Sequence, residues 1–336
     1  MWRVIGRLLL LAGGLGLCGW LLRQVDPRTV AEGFQKIGWL LPLALTPYLA
    51  VYVSDTLGWR FSFGSRGPAG VSFLNLFRIR WCGESLNNLV PSAYVGGEAL
   101  KIFLLRKLGV GVREATAAAV VSKCVQTLAQ ILFIAGAALA FRSLLPDGSP
   151  VRSGLLTVTL GGLCVAIGMF FVQIAGVFGI LIKLSSWTGL ASKLTAERRK
   201  TLQQIDESIR TFYRTERLGF LGSIAGYLGG WLIDTLEIWL FAALMGSPIT
   251  WIQALSIEAF VGVAKIMGMF VPGALGIQES GILFLGRAAG LTDPFCLTYA
   301  VFRRLRELLF IAAGWALFSL QGVSLSEVRD KPSTAR

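Results

Sequence analysis

The sequence contains no histidine, which removes the commonest general base and metal ligand. It has no GxxxxGK[ST] loop to cradle ATP phosphates and no GxSxG elbow for a serine nucleophile. Charge is scarce, with 15% Asp, Glu, Lys and Arg in 336 residues against about 25% in soluble domains. Acids are scarcer than bases, 19 against 32, giving a net charge of +13. The five cysteines, Cys18, Cys82, Cys124, Cys164 and Cys296, are odd in number, widely spaced and without a CxxC pair. They read as buried thiols rather than a disulfide framework or metal site. No catalytic residue, cofactor or metal is expected.

What the chain has instead is apolar length, with 54% hydrophobic residues. The run from Leu155 to Leu184 carries no charge before Lys183 and exceeds the ~20 residues that cross a hydrocarbon core. The fold class expected is an all-α polytopic membrane protein with about six spanning helices. They fall at about 4–22, 38–61, 113–140, 154–183, 218–245 and 294–321. Arg3 and Arg7 before an apolar core resemble a signal peptide, but no small-x-small site follows, so this stretch is taken as the first span. The basic residues flank the spans, which suits anionic headgroups and not nucleic acid.

Two stretches differ from these spans. Residues 71–110 hold Arg78, Arg80, Glu84, Glu98 and Lys101; residues 250–290 hold Glu258, Lys265 and Glu279. Elbow residues Pro91, Gly96 and Gly97 break the first, and Pro272, Gly273 and Gly276 the second. Charge and broken helix at membrane depth are tolerated only against protein or a wet cavity, so both are expected to be re-entrant or broken-helix hairpins. Between them, 185–217 is polar, with eight Lys/Arg and four acids from Lys183 to Arg217. It is expected to be a cytoplasmic amphipathic helix, with both termini on the same side.

An offset of 181 residues pairs Val90-Pro91 with Val271-Pro272, Ala93 with Ala274, Glu98 with Glu279, Phe103-Leu104 with Phe284-Leu285, Arg106 with Arg287 and Gly109 with Gly290. Further on it pairs Ala119-Val120 with Ala300-Val301 and Lys123 with Arg304. Three crossings between the hairpins make the expected halves an inverted repeat, an architecture of transporters. The organisation expected is one integral membrane domain, 1–322, with repeat halves at about 71–140 and 250–321, the linker 185–217, and a cytoplasmic tail, 323–336.

The candidate binding residues are Arg80, Glu84, Asn87, Asn88, Glu98, Lys101 and Lys123 in the first half, and Glu258, Lys265, Glu279 and Arg304 in the second. Ionisable residues inside a membrane mark pathways or pair with one another. Arg80 and Glu84 are four apart and can meet on one helix face. Glu98 and Glu279 stand where a helix restarts, and either cap it or line a polar groove. Lys123, Gln126 and Gln130 share a face; Arg303, Arg304, Arg306 and Glu307 are expected to begin the last span, some snorkelling to the interface. Asp234 and Glu237 are expected to pair with a base. Gly222, Gly226 and Gly230 form a small-residue packing stripe.

The stretch GESLNNLVPSAYVGGEALKIFLLRKLG (83–109), with FVPGALGIQESG (270–281), resembles the lysylphosphatidylglycerol synthase transmembrane-region, or flippase-like, family. RWCGESLNNLVP, VGGE, FVPGALGIQE and RRLREL are similar to its hopanoid-biosynthesis-associated subgroup, HpnL. The resemblance implies a lipid flippase or transporter of the bacterial inner membrane. Its partners would be membrane lipids, hopanoid or anionic phospholipid, with a second copy of the chain also admitted. The resemblance covers the transmembrane region and not the synthases' aminoacyltransferase domain, so aminoacyl-lipid synthesis is not expected, and Lys101 stands where the wider family often has Arg, keeping charge without the planar fork. The alternatives are a polytopic lipid-modifying transferase, or a non-catalytic partner of lipid-synthesis enzymes docking through 185–217. Acids and bases packed dry, with no opening, would remove the transport reading.

Overall fold

The computed structural model describes residues 27–89, 95–143, 150–186, 195–267 and 276–320. The span expected at 4–22, the elbow residues Pro91, Pro272 and Gly273, and the tail lie outside them. Every regular element among the described residues is helical. The helices are α1 (Pro27–Ile37), α2 (Leu41–Phe61), α3 (Phe73–Leu89), α4 (Val95–Lys107), α5 (Val112–Arg142) and α6 (Pro150–Ala175). They continue as α7 (Val177–Ser186), α8 (Ala196–Thr215), α9 (Arg217–Leu244), α10 (Trp251–Met267), α11 (Ile277–Ala288) and α12 (Asp293–Ser319).

Three of these runs are long and apolar enough to cross a membrane: Val30–Phe61, Val112–Arg142 and Arg217–Leu244. The first extends further back than the sequence indicates, because α1 joins α2 through one 3-10 turn, Gly38–Leu40. The expected continuous span at 154–183 is corrected: it breaks at Gly176, and its two pieces meet at 88°. Gly176 has φ 103, a left-handed conformation that costs a residue with a Cβ. Helix α8 seals both exposed helix ends there. Its Asp206 accepts from the amides of Phe178 and Gly179 at 3.1 and 2.8 Å, and its Arg210 donates to the carbonyls of Ile174 and Ala175. These are the orphan groups that any helix terminus leaves.

Helices α2 and α9 are the closest pair. Gly219 lies against Phe61 and Gly64, Gly222 against Phe61, Gly226 against Gly58 and Ser54, and Gly230 against Asp55 and Val51. The register falls along one helix as it rises along the other, so the two run antiparallel. Ser54 Oγ donates to the Gly226 carbonyl at 2.8 Å, and the Ser62 and Ser223 hydroxyls meet at 3.0 Å. Small residues allow this approach where lipid gives helices no hydrophobic reason to associate.

The 181-residue offset has structural counterparts. Helix α4 is closed by hydrogen bonds from Leu108 and Val110 to Leu105 and from Gly109 to Arg106. Helix α11 is closed by the same pattern from Ala289 and Leu291 to Gly286 and from Gly290 to Arg287. Gly109 and Gly290 both take positive φ, 89 and 79, as this helix-ending motif requires. Contacts between the halves also exchange partners. Trp81 on α3 donates to the Phe310 carbonyl on α12 at 2.8 Å, while Gln130 on α5 donates to the carbonyl of Gly262 on α10 at 3.2 Å.

Candidate functional site

Helix α3 carries Arg80, Glu84 and Asn87 at intervals of four and three, which stacks them on one face. Helix α4 brings Glu98 and Lys101 opposite. The two helices touch closely because Gly97 packs on the Gly83 carbonyl and on Asn87. Asn87 Oδ1 accepts from the Gly97 amide at 2.8 Å, so Asn87, not Glu98, satisfies the start of α4. Gly97 thus makes room for this close packing, and Gly276 takes φ 79 immediately before α11.

Six charges alternate in sign along this cluster. Asp55 of α2 pairs with Arg80 at 2.7 Å, and Arg80 reaches Glu84 at 3.9 Å. Lys101 lies 3.5 Å from Glu84 and 2.7 Å from Glu98; Glu98 lies 3.0 Å from Lys123 of α5. Three acids meet three bases, so the formal charge cancels, as burial demands. Lys101 also sits 5.2 Å over the Trp59 ring, and Lys123 donates to Gln126 at 3.2 Å. The row is not sealed: Lys123 is 33% exposed and Asp55 19%. Arg80 keeps Nε and Nη1 buried without a hydrogen-bond partner among the described residues.

The second half builds a deeper cluster. Arg303 of α12 grips Glu258 of α10 with two bonds, 2.6 and 2.8 Å, and also donates to the Tyr299 hydroxyl at 3.2 Å. Arg306 pairs with Glu237 and lies 3.6 Å from Asp234, both on α9. Arg304 pairs with Glu279 of α11 and, at 2.7 Å, with Glu307. Aromatic rings join the clusters: Arg306 stands 3.5 Å over Tyr48, which packs edge-on against Tyr52 at 5.4 Å, beside Trp81.

Of the candidates from sequence, Arg80, Glu84, Asn87, Glu98, Lys101 and Lys123 come together, and Glu279 meets Arg304. Glu258 is paired with Arg303. Asn88 is half-buried and stands outside the chain of ion pairs; the Lys265 side chain lies outside what is described. Two expectations are corrected. Arg303, Arg304, Arg306 and Glu307 stand in the middle of α12, which starts at Asp293, and not at its beginning; Arg303 and Arg306 are buried. Their partners on α9 and α10 offset the desolvation that would otherwise drive them to the interface. Cys164 is exposed rather than buried, because its part of α6 faces outward; Cys18 lies outside the described residues. Sequence reasoning missed Asp55, although Asp55-Thr56-Leu57 recurs as Asp234-Thr235-Leu236. It also gave no role to Tyr48, Tyr52 or Tyr299.

Residues 4–314 match the family described as the lysylphosphatidylglycerol synthase TM region. A "UPF0104 membrane protein" of Pyrococcus horikoshii is 26% identical over 283 residues, covering 78% of this chain and 81% of its own. Another of that description, from Methanothermobacter thermautotrophicus, is 22% identical over 340 aligned residues, 96% of this chain and 97% of its own. No solved structure matches.

Proposed function

The chain belongs to the lysylphosphatidylglycerol synthase TM region family, a family of membrane proteins, and from that premise we propose that it moves a lipid with a polar headgroup between leaflets. The observation that carries the proposal is the alternating row Asp55–Arg80–Glu84–Lys101–Glu98–Lys123, held at the crossing of apolar helices and left partly open. A headgroup crossing hydrocarbon loses its hydration at large cost. A row of fixed, paired charges exchanges one set of polar contacts for another and lowers that cost. Lys123 and Arg304 contact the anionic part of the headgroup, with Asn87 and Asn88 beside the first elbow.

The architecture proposed is two hairpins in an inverted repeat. Support comes from the antiparallel α2 and α9, the matched helix ends at Gly109 and Gly290, and the exchanged contacts Trp81–Phe310 and Gln130–Gly262. The wider reading places the protein in the bacterial inner membrane with both termini cytoplasmic. The lipid is a hopanoid or an anionic phospholipid, the former suggested by the likeness of RWCGESLNNLVP and RRLREL to HpnL.

The test is leaflet equilibration in proteoliposomes doped with a labelled anionic phospholipid or a labelled polyol-headed hopanoid. Protein-dependent equilibration of at least one, abolished in the Lys123→Met/Arg304→Met double variant, is expected. Equilibration of neither would overturn the proposal.

A further inference from the structure

The break between α6 and α7 sets the direction of a whole hairpin. Helix α6 runs antiparallel to α5, which is long and apolar enough to cross a membrane, and the register between them is constant. Gly162 lies against Ile131, and eleven residues on Gln173 donates to the carbonyl of Val120, eleven residues back. Gly176 therefore comes level with Ala117, four residues from the exposed Arg113 at the start of α5, about 6 Å at a helical rise of ~1.5 Å per residue. At that depth the chain turns by 88° into α7, so α7 runs along the bilayer surface and not through it. Interfacial helices bury their apolar face about 5–10 Å into the same boundary between headgroups and acyl chains.

The two helices have the faces that such a position needs. Phe178 of α7 packs inward with Ile205, Ile209 and Phe212 of α8. Val177, Ile180, Leu181 and Leu184 form a separate stripe at helical spacing, with Leu181 and Leu184 53% and 51% exposed. Contacts step back along α8 as the chain goes forward, from Gln173–Tyr213 through Ala175–Arg210 to Phe178–Asp206, so the first turns of α8 return beside α7. They carry Arg198, Arg199 and Lys200, all exposed. From Val177 to Ile205 the sequence holds five bases, Lys183, Lys193, Arg198, Arg199 and Lys200, against one acid, Glu197. The next acid, Asp206, is turned in to the α7 amides. Bases at the start of a helix oppose its dipole, so the stability of α8 itself does not call for them.

We propose that the α7–α8 hairpin is an interfacial binding surface for anionic phospholipid of the surrounding bilayer. Leu181 and Leu184 lie among the upper acyl carbons, and Arg198, Arg199 and Lys200 meet the phosphates. An apolar stripe and basic turns on one in-plane element match a surface that is apolar below and negative above. An acidic soluble protein would answer the charge and leave Leu181 and Leu184 in water. The surface needs a bilayer but no lipid movement, so it stands or falls apart from the transporter reading above.

The experiment places the full chain in phosphatidylcholine liposomes doped with a headgroup-photoreactive phosphatidylglycerol or with its phosphatidylcholine counterpart, and maps the adducts by mass spectrometry. Expected are adducts on Ala196 to Gln204 of α8 that are about fivefold more frequent with the anionic probe, the factor that one surface base is worth. Arg198→Gln/Lys200→Gln should remove most of that preference; both side chains are exposed, and melting followed by circular dichroism checks the fold. Salt at about 1 M, where the screening length is ~3 Å, should do the same to the unaltered chain and serves where the variant does not fold. Equal labelling by the two probes overturns the proposal, as does a preference that survives both the variant and salt. A diazirine at an upper acyl carbon should label α7 as it labels α5 and α9; labelling of α5 and α9 alone puts the hairpin in water and overturns it. Cross-links from α8 to a second copy of the chain in place of lipid assign the surface to a protein interface and overturn it too.

Discussion

Glu98 Oε1 lies 3.0 Å from Lys123 Nζ, and 181 residues further along each chain position Glu279 pairs with Arg304. The same first-turn glutamate of the hairpin's second helix is thus held by the same position of the following helix in both halves. The pairs differ in support. Glu98 retains Lys101 at 2.7 Å when Lys123 is removed, whereas among the described residues Arg304 is the base that holds Glu279.

Arg304→Ala is therefore expected to destabilise the protein more than Lys123→Ala does. Removing one partner of a buried pair costs about 3–5 kcal/mol; Lys123, one-third exposed with Glu98 otherwise paired, should cost well under half of that. Equilibrium unfolding in mixed detergent measures both. Equal losses would mean that the pairs are not supported as the geometry indicates.

Glu258 and Arg303 give a sharper energetic contrast. Either Glu258→Met or Arg303→Met strands a fully buried charge and is expected to cost about 3–5 kcal/mol, while the double variant recovers most of the loss because both charges leave together. A double-variant cycle checks this, and additive losses would contradict it.

The α2–α9 contact predicts a steric effect. A Cβ at Gly226 would stand 2.5 Å from the Gly58 nitrogen and 2.6 Å from its Cα, which are backbone atoms that cannot swing aside. Gly226→Ala is expected to cost about 1–3 kcal/mol. Gly136→Ala, on a helix with nothing within 4 Å, should be neutral or slightly stabilising. Thermal unfolding of the two side by side is the measurement.

At the α6–α7 break, Asp206→Ala removes the acceptor for two amides and should cost about 1–2 kcal/mol. The effect should be local, faster hydrogen exchange in 177–186 and 195–215 with α2 and α9 unchanged. Exchange that speeds up everywhere would show that α8 is integral to the whole bundle rather than a clasp on one break.

Much of the hairpin geometry was legible from residues alone. The Pro-Gly elbows divided α3 from α4 and α10 from α11, and the offset of 181 marked Glu98 with Glu279 and Lys123 with Arg304 as equivalent positions, but that each glutamate meets the base of its own half came only from the packing. The glycine stripe at 222, 226 and 230 does face a neighbour. Gly176 escaped notice because a single glycine in an apolar run is usually tolerated inside a helix; what breaks the run is Asp206 and Arg210, supplied about thirty residues later. Arg303 and Arg306 were not singled out as buried for a similar reason, since a basic residue in an apolar helix snorkels unless a distant carboxylate waits for it.

The sequence alone determined that this chain is a helical membrane protein with charged, interrupted hairpins, because apolar run length, proline and charge spacing are local quantities. The tertiary structure decided which charge meets which. Coulomb attraction in a low-dielectric interior depends on a few ångströms between residues far apart in the chain, such as Asp55 and Arg80 or Glu237 and Arg306.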